Sequence, residues 1–151
     1  MTNYARYIGL LLEAFPELRP NVQREEGVYC RTSVFVEFVN AAIAAGDWAT
    51  VDKAYAFAER ILDTDAEDEV YNAICVSFIE HLDFHSHPTN GPAAKKRLSP
   101  RLLSEWKELE AYWEEYAKAT GLKQNEEAVV KSSRKRDAGR TAFRRRGKRR
   151  K

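Results

Sequence analysis

The chain has 151 residues, of which 44% are hydrophobic and 32% charged, enough for one domain with a core of its own. Its two cysteines, Cys30 and Cys75, lie in apolar stretches without the C-x-x-C spacing that would suggest a metal or redox pair, and they are expected to be buried, reduced thiols of a cytoplasmic protein. The net charge of +2 hides an asymmetry: residues 1–121 carry 12 basic and 20 acidic side chains, net −8, whereas residues 122–151 carry 13 basic and 3 acidic, net +10.

In chain order, Tyr4, Ile8, Leu11 and Phe15 recur at helical spacing, and Pro16 stops that first helix. The apolar run is broken by Arg6 and Glu13, too short for a signal peptide or a membrane span. Residues 16–27, with Pro16, Pro20 and Gly27 among charges, read as a loop containing at most a helical turn. A second helix is predicted from Val28 to Ala45, burying Val34, Phe35, Phe38, Val39, Ala42 and Ile43, with Gly46 as its C-terminal cap.

Asp47 can cap a third helix, in which Trp48, Val51, Tyr55, Ala58 and Leu62 share a face. Asp65 is expected to cap a fourth, running through EDEVYNAICVSFIEHLDF. Its stripe Val70, Ile74, Phe78, Leu82 is flanked by Tyr71, Cys75 and Ile79, which suits the central helix of the fold. Residues 86–98, SHPTNGPAAKKRL, read as a connection that does not pack. Ser99 followed by Pro100 then signals a helix start, and Leu102, Trp106, Leu109, Trp113 and Tyr116 give the fifth helix its face up to Gly121. Trp48, Phe78 and Trp106 are expected to be buried. No segment alternates with period two, so residues 1–121 are expected to form an all-α domain of about five helices, as a bundle or as paired helices, and 122–151 a disordered basic tail.

All three histidines lie in HLDFHSHP, residues 81–88. On a continuous helix His81 and His85 would share a face at a spacing able to hold a metal, with Asp83 or His87 as a further ligand. Against this, Asp83 would point elsewhere, His87 precedes Pro88, and histidines near a helix C-terminus serve its exposed carbonyls without a metal. The second reading is preferred, so no metal and no cofactor is assigned. Glu59 and Glu80 could approach as paired carboxylates, but rim charges of this kind are ordinary. With no phosphate loop, no H-E-x-x-H and no G-x-S-x-G, no catalytic residue is assigned.

The basic side chains of the tail, Arg134, Lys135, Arg136, Arg140, Arg144, Arg145, Arg146, Lys148, Arg149, Arg150 and Lys151, form the candidate anion-binding set. Neutralising phosphates releases counterions, so such a segment favours salt-sensitive, sequence-indifferent binding to DNA or RNA. Engagement of the acidic body or of a protein partner and weak attachment to anionic lipid compete with that reading, as does a tail without a role.

The stretch from Ala41 to Phe84 combines G-D-W opening a helix, Phe57 with Glu59, V-Y-N-A-I and S-F-I-E-H-L, and Leu98, Ser99 and Pro100 then precede Trp106 and Trp113. Over residues 41–113 this pattern resembles a family of small all-helical bacterial proteins associated with polymorphic toxin and immunity loci. The resemblance implies a helical fold and a binding role such as toxin neutralisation, and brings no catalytic residue. The expectation is a non-enzymatic interaction protein whose acidic helical face meets an unknown protein partner, such as a toxin. The alternative is a nucleic-acid-associated protein working through its tail. Neither the partner-binding residues nor the oligomeric state is specified by the sequence.

Overall fold

The structure, a computed structural model, describes residues 1–121. The expected disorder of 122–151 and the candidate anion-binding set lie outside the described residues. Among the described residues the fold is all-α, with seven α-helices. Internal contacts divide the chain into two units, Met1–Trp106 and Lys107–Lys151.

Helix α1 (Tyr4–Ala14) starts where the Asn3 side chain accepts the Arg6 amide hydrogen at 2.9 Å. Its buried face is Tyr7, Ile8, Leu11 and Leu12. Tyr4 is only half-buried, so the stripe is rotated towards Tyr7. The Thr32 hydroxyl donates to the Val28 carbonyl at 2.7 Å, which leaves Tyr7 as the donor in the 2.9 Å bond between their oxygens. Burial pushes the Tyr7 hydroxyl above the ordinary phenol range, the Thr32 bond opposing it.

The predicted loop 16–27 is more ordered than expected. A 3-10 turn (Pro16–Leu18) leads into α2 (Arg19–Arg24), which buries Leu18 and Val22. Gly27, at φ 80°, turns the chain into α3 (Val28–Ala45). Gly46, at φ 69°, ends α3 in the left-handed conformation. Asp47 then opens α4 (Trp48–Asp63) by accepting from the Thr50 hydroxyl at 2.6 Å and amide at 3.3 Å, and these bonds hold its carboxyl below the usual range.

Asp65 does not cap the next helix. Its carbonyl accepts the Thr2 amide at 2.9 Å, and Thr2 returns its own carbonyl to the Glu67 amide at 3.0 Å, an isolated parallel bridge that holds residues 65–67 extended. Helix α5 (Asp68–Ala73) therefore begins later than expected and has no side-chain cap. It continues as a π-helical turn (Ile74–Phe78) and a 3-10 turn (Ile79–His81). The predicted stripe of Val70, Ile74, Phe78 and Leu82 is buried, and the wider π turn extends burial to every residue from 72 to 79.

Residues 86–98 depart most from expectation, because they contain α6 (Asn90–Lys96), which packs through Gly91 and Ala94. The Tyr55 hydroxyl donates to the Ala94 carbonyl at 3.0 Å and the Asn90 side-chain amide to the Ala44 carbonyl at 3.2 Å. Helix α7 (Pro100–Thr120) follows with the expected cap, the Ser99 hydroxyl accepting the Leu102 amide at 3.2 Å, and Gly121 at φ 65° closes it.

The centre of Met1–Trp106 is an aromatic cluster. Phe35 stacks on Phe78 at 4.6 Å and meets Phe57 edge-on at 5.6 Å, while Phe15 lies 5.3 Å from Phe35. Helix α3 is the hub, contacting α1, α2, α4, α5, α6 and the π turn, so the expected central helix shares that place with it. By length and composition alone α3 could also cross a membrane, but here Phe35, Val39 and Ile43 are core residues. Cys75 is buried as expected. Cys30 is exposed, because it lies on the stripe of α3 that also carries Glu37, Ala41 and Ala44 to solvent. Trp48 and Trp106 are half-buried, forming platforms for Arg97 at 4.7 Å and Lys95 at 3.9 Å.

In Lys107–Lys151 the described part is the end of α7. There Trp113 meets Tyr112 at 5.2 Å and Tyr116 at 5.5 Å, both edge-on.

Candidate functional site

A cleft of about 540 Å³ lies between the 3-10 turn with α2 on one side and α3 on the other. Its construction follows from local sequence. Phe15 leaves α1, Pro16 forces a tight turn, and the six-residue α2 is too short to cover the eighteen-residue α3. Val34 and Phe38, one turn apart on α3, are consequently left half-buried, and with Leu18 they supply the apolar lining. The Phe38 ring is backed edge-on by Phe15 at 5.7 Å, and Phe15 is itself 6.0 Å from Phe57, so the apolar surface is carried by the core.

Glu17, Glu25 and Glu37 line the same cleft and are exposed, as are Asn21 and Arg24. Among the described residues none of these three carboxylates takes part in an ion pair. Four cations of the same unit are engaged elsewhere. Arg97 pairs with Asp52 at 2.7 Å, and Arg101 approaches Asp63 at 3.8 Å and Glu105 at 3.7 Å. Lys53 donates to the Ala14 carbonyl at 2.6 Å, and Arg31 reaches the Glu25 backbone carbonyl at 2.9 Å, not its carboxylate. Among the described residues the lining is thus three carboxylates and one guanidinium around an apolar patch, an electronegative concavity.

The histidine stretch is built differently from a metal site. The helix ends at His81 and Leu82 is extended at ψ 128°, so the i, i+4 geometry assumed for His81 and His85 does not exist. Asp83 uses one carboxylate oxygen to accept the Ser86 amide at 2.9 Å and the His85 amide at 3.2 Å, bonds that hold its carboxyl below the usual range, the Ser86 amide foremost. The Asn40 side chain clasps this turn from α3, donating to the His81 carbonyl at 2.9 Å and accepting the Asp83 amide at 2.9 Å. Among the described residues no three His, Cys, Asp or Glu side chains gather to hold a metal ion. Glu59 and Glu80 are half-buried on separate elements.

A polar cluster that sequence reading missed surrounds Glu105, which is 7% exposed. Tyr71 donates to one of its oxygens at 2.7 Å and the Cys75 thiol lies 3.7 Å from the other. Burial pushes the Tyr71 hydroxyl above the ordinary range, with the nearby Cys75 and Glu105 adding to it. Cys75 is fully buried, so this is a satisfied core carboxylate with no nucleophile open to substrate.

A family model described as a domain of unknown function (DUF7674) matches residues 8–114. The chain belongs to the DUF7674 family. The DUF7674 match takes in both walls of the cleft, the Asn40 clasp and Glu105, and stops short of the basic tail. No curated protein and no solved structure matches the chain.

Proposed function

We propose that this DUF7674 protein is a non-enzymatic, cytoplasmic interaction module that engages a protein partner through its acidic helical surface. The observation that carries the reading is the cleft, where three carboxylates without ion-pair partners among the described residues border a half-buried apolar patch, Val34 and Phe38. Hydrophobic contact at the centre with charge at the rim is the usual anatomy of a recognition surface, and negative potential favours encounter with a basic partner. Within that reading, the resemblance over residues 41–113 favours an immunity-like inhibitor, since toxins that cleave nucleic acids present basic surfaces.

Affinity capture of the full chain from its native host, with nuclease treatment and with neighbouring toxin genes expressed, tests this. A protein retained after nucleic acid is digested is the expected outcome. If the chain retains no protein under either condition, the reading falls.

A second reading has its own observation, the 13 basic side chains of residues 122–151. A chain using these on DNA or RNA, with six to ten phosphate contacts, is expected to lose roughly 10³- to 10⁵-fold in affinity between about 50 and 200 mM salt, whatever the base sequence. Deleting residues 131–151 should abolish this binding in a filter or mobility-shift titration. Equal binding by the shortened chain removes the nucleic-acid reading.

A further inference from the structure

We infer that the cleft formed by Leu18, Val34 and Phe38 is the docking site for a lysine- or arginine-bearing segment of another protein that inserts one large apolar side chain. This rests on the interaction reading above and adds the location and the chemistry of the occupant.

The apolar component comes from Val34 and Phe38. These residues stand on the hub helix and are half-buried, and the Phe15 ring packs edge-on behind Phe38 at 5.7 Å. A volume of about 540 Å³ falls within the roughly 300–1,000 Å³ of ordinary binding clefts. It admits an anchor side chain with the neighbouring backbone.

The sign of the charge decides the class of partner. Among the described lining residues Glu17, Glu25 and Glu37 outnumber Arg24, while Lys53 and Arg31 hydrogen-bond to backbone carbonyls and pair with none of the three carboxylates. Phosphate-bearing ligands, nucleic acid included, would meet three carboxylates and one guanidinium, which is repulsive. A bare metal ion has no three-ligand group among the described residues. A small free amine would gain little, because one exposed ion pair changes affinity by no more than about fivefold. A polypeptide collects several such pairs and adds an apolar anchor whose burial is worth roughly ten- to hundredfold. The cleft therefore suits a basic segment with one Leu, Phe, Met or Trp among its cations, bound transiently.

The test is selection of a random peptide display library on the full-length chain, followed by fluorescence anisotropy of the selected peptides as synthetic probes. Selected sequences are expected to place clustered Lys or Arg beside a large apolar residue. The E17Q/E25Q/E37Q chain should bind them at least about tenfold more weakly and with a flatter dependence on salt. All three positions are exposed, so the fold should be retained, as circular dichroism will report. Arg24→Glu is the complementary variant. It removes the one cation of the lining among the described residues and should tighten binding up to several-fold, a gain that misfolding cannot produce.

Selection of acidic or purely apolar peptides overturns the proposal, as does binding unchanged by the triple substitution or weakened by Arg24→Glu. Concentration-dependent self-association abolished by the triple variant would assign the cleft to a second copy of this chain and likewise overturn it. A host protein captured equally by the native and the triple-variant chains overturns the cleft assignment alone and leaves the interaction reading standing.

Discussion

Truncation of Phe78 to alanine is expected to destabilise the fold by about 3–5 kcal/mol, the range for removing a buried phenylalanine without collapse of the site. Phe78 is fully buried and stacked at 4.6 Å, within 10° of parallel, on Phe35. Phe35 is held in turn by Phe15 and Phe57, so the ring partners cannot move into the space without losing contacts of their own. Phe78 also ends the π turn, where the chain on both sides is buried, and backbone relaxation is correspondingly restricted. Urea denaturation followed by tryptophan fluorescence measures the effect. Trp48→Ala and Trp106→Ala should cost less, roughly 1–3 kcal/mol, because each indole is half-exposed and lends one face to a cation. If Phe78→Ala costs less than about 1 kcal/mol, the aromatic cluster is not the centre of the core.

The contrast between Phe78 and the two tryptophans marks what could be read from the sequence. Local chemistry was legible wherever it decides the structure by itself. The Asp47 cap, the Ser99–Pro100 start and the left-handed Gly46 and Gly121 all depend on neighbours within a few residues. Helices α2 and α6 were not legible because six or seven residues cannot sustain a helix in water. They exist through Leu18 and Val22 against α3, and through the bonds from Tyr55 and Asn90 to α6 and its neighbour. Asp65 illustrates the same limit from the other side. It has the chemistry of a cap, but a bridge to Thr2, more than sixty residues away in sequence, keeps the backbone around it extended.

The candidate site was legible only as a bulk property. Net charge shows that the body is acidic, but not which carboxylates lack a cation. That depends on Arg97 choosing Asp52, on Arg101 choosing Asp63 and Glu105, and on Lys53 and Arg31 bonding to carbonyls. Glu17, Glu25 and Glu37 come together because the turn at Pro16–Leu18 and helix α2 fold back on α3. The histidines, in contrast, were conspicuous in sequence and carry no metal geometry, since the helix that would have aligned them stops at His81.

Glycine substitutions test this description most sharply, because propensity and packing predict opposite signs. Gly9 lies within α1 with nothing within 4 Å of an added Cβ. Gly9→Ala should therefore stabilise by about 0.5–1 kcal/mol, the ordinary gain of alanine over glycine in a helix. Gly91 is also helical, in the first turn of α6, yet a Cβ there would lie 2.7 Å from the Phe84 carbonyl carbon and 3.2 Å from its Cα. Those atoms are backbone, so no rotamer change relieves the clash. Helix α6 cannot simply withdraw, because the Tyr55–Ala94 and Asn90–Ala44 bonds hold it in place and the Gly91 amide is bonded to the His87 carbonyl at 2.8 Å. Gly91→Ala is thus expected to destabilise by about 3 kcal/mol, the upper end of overpacking costs, in a denaturation series run beside Gly9→Ala. Stabilisation at both positions would mean that α6 stands away from Phe84 and that residues 86–98 are the loose connection their sequence suggests. Opposite signs would instead place α6 in the packed body, with Gly91 fixed by the approach of Phe84 and not by any need for flexibility.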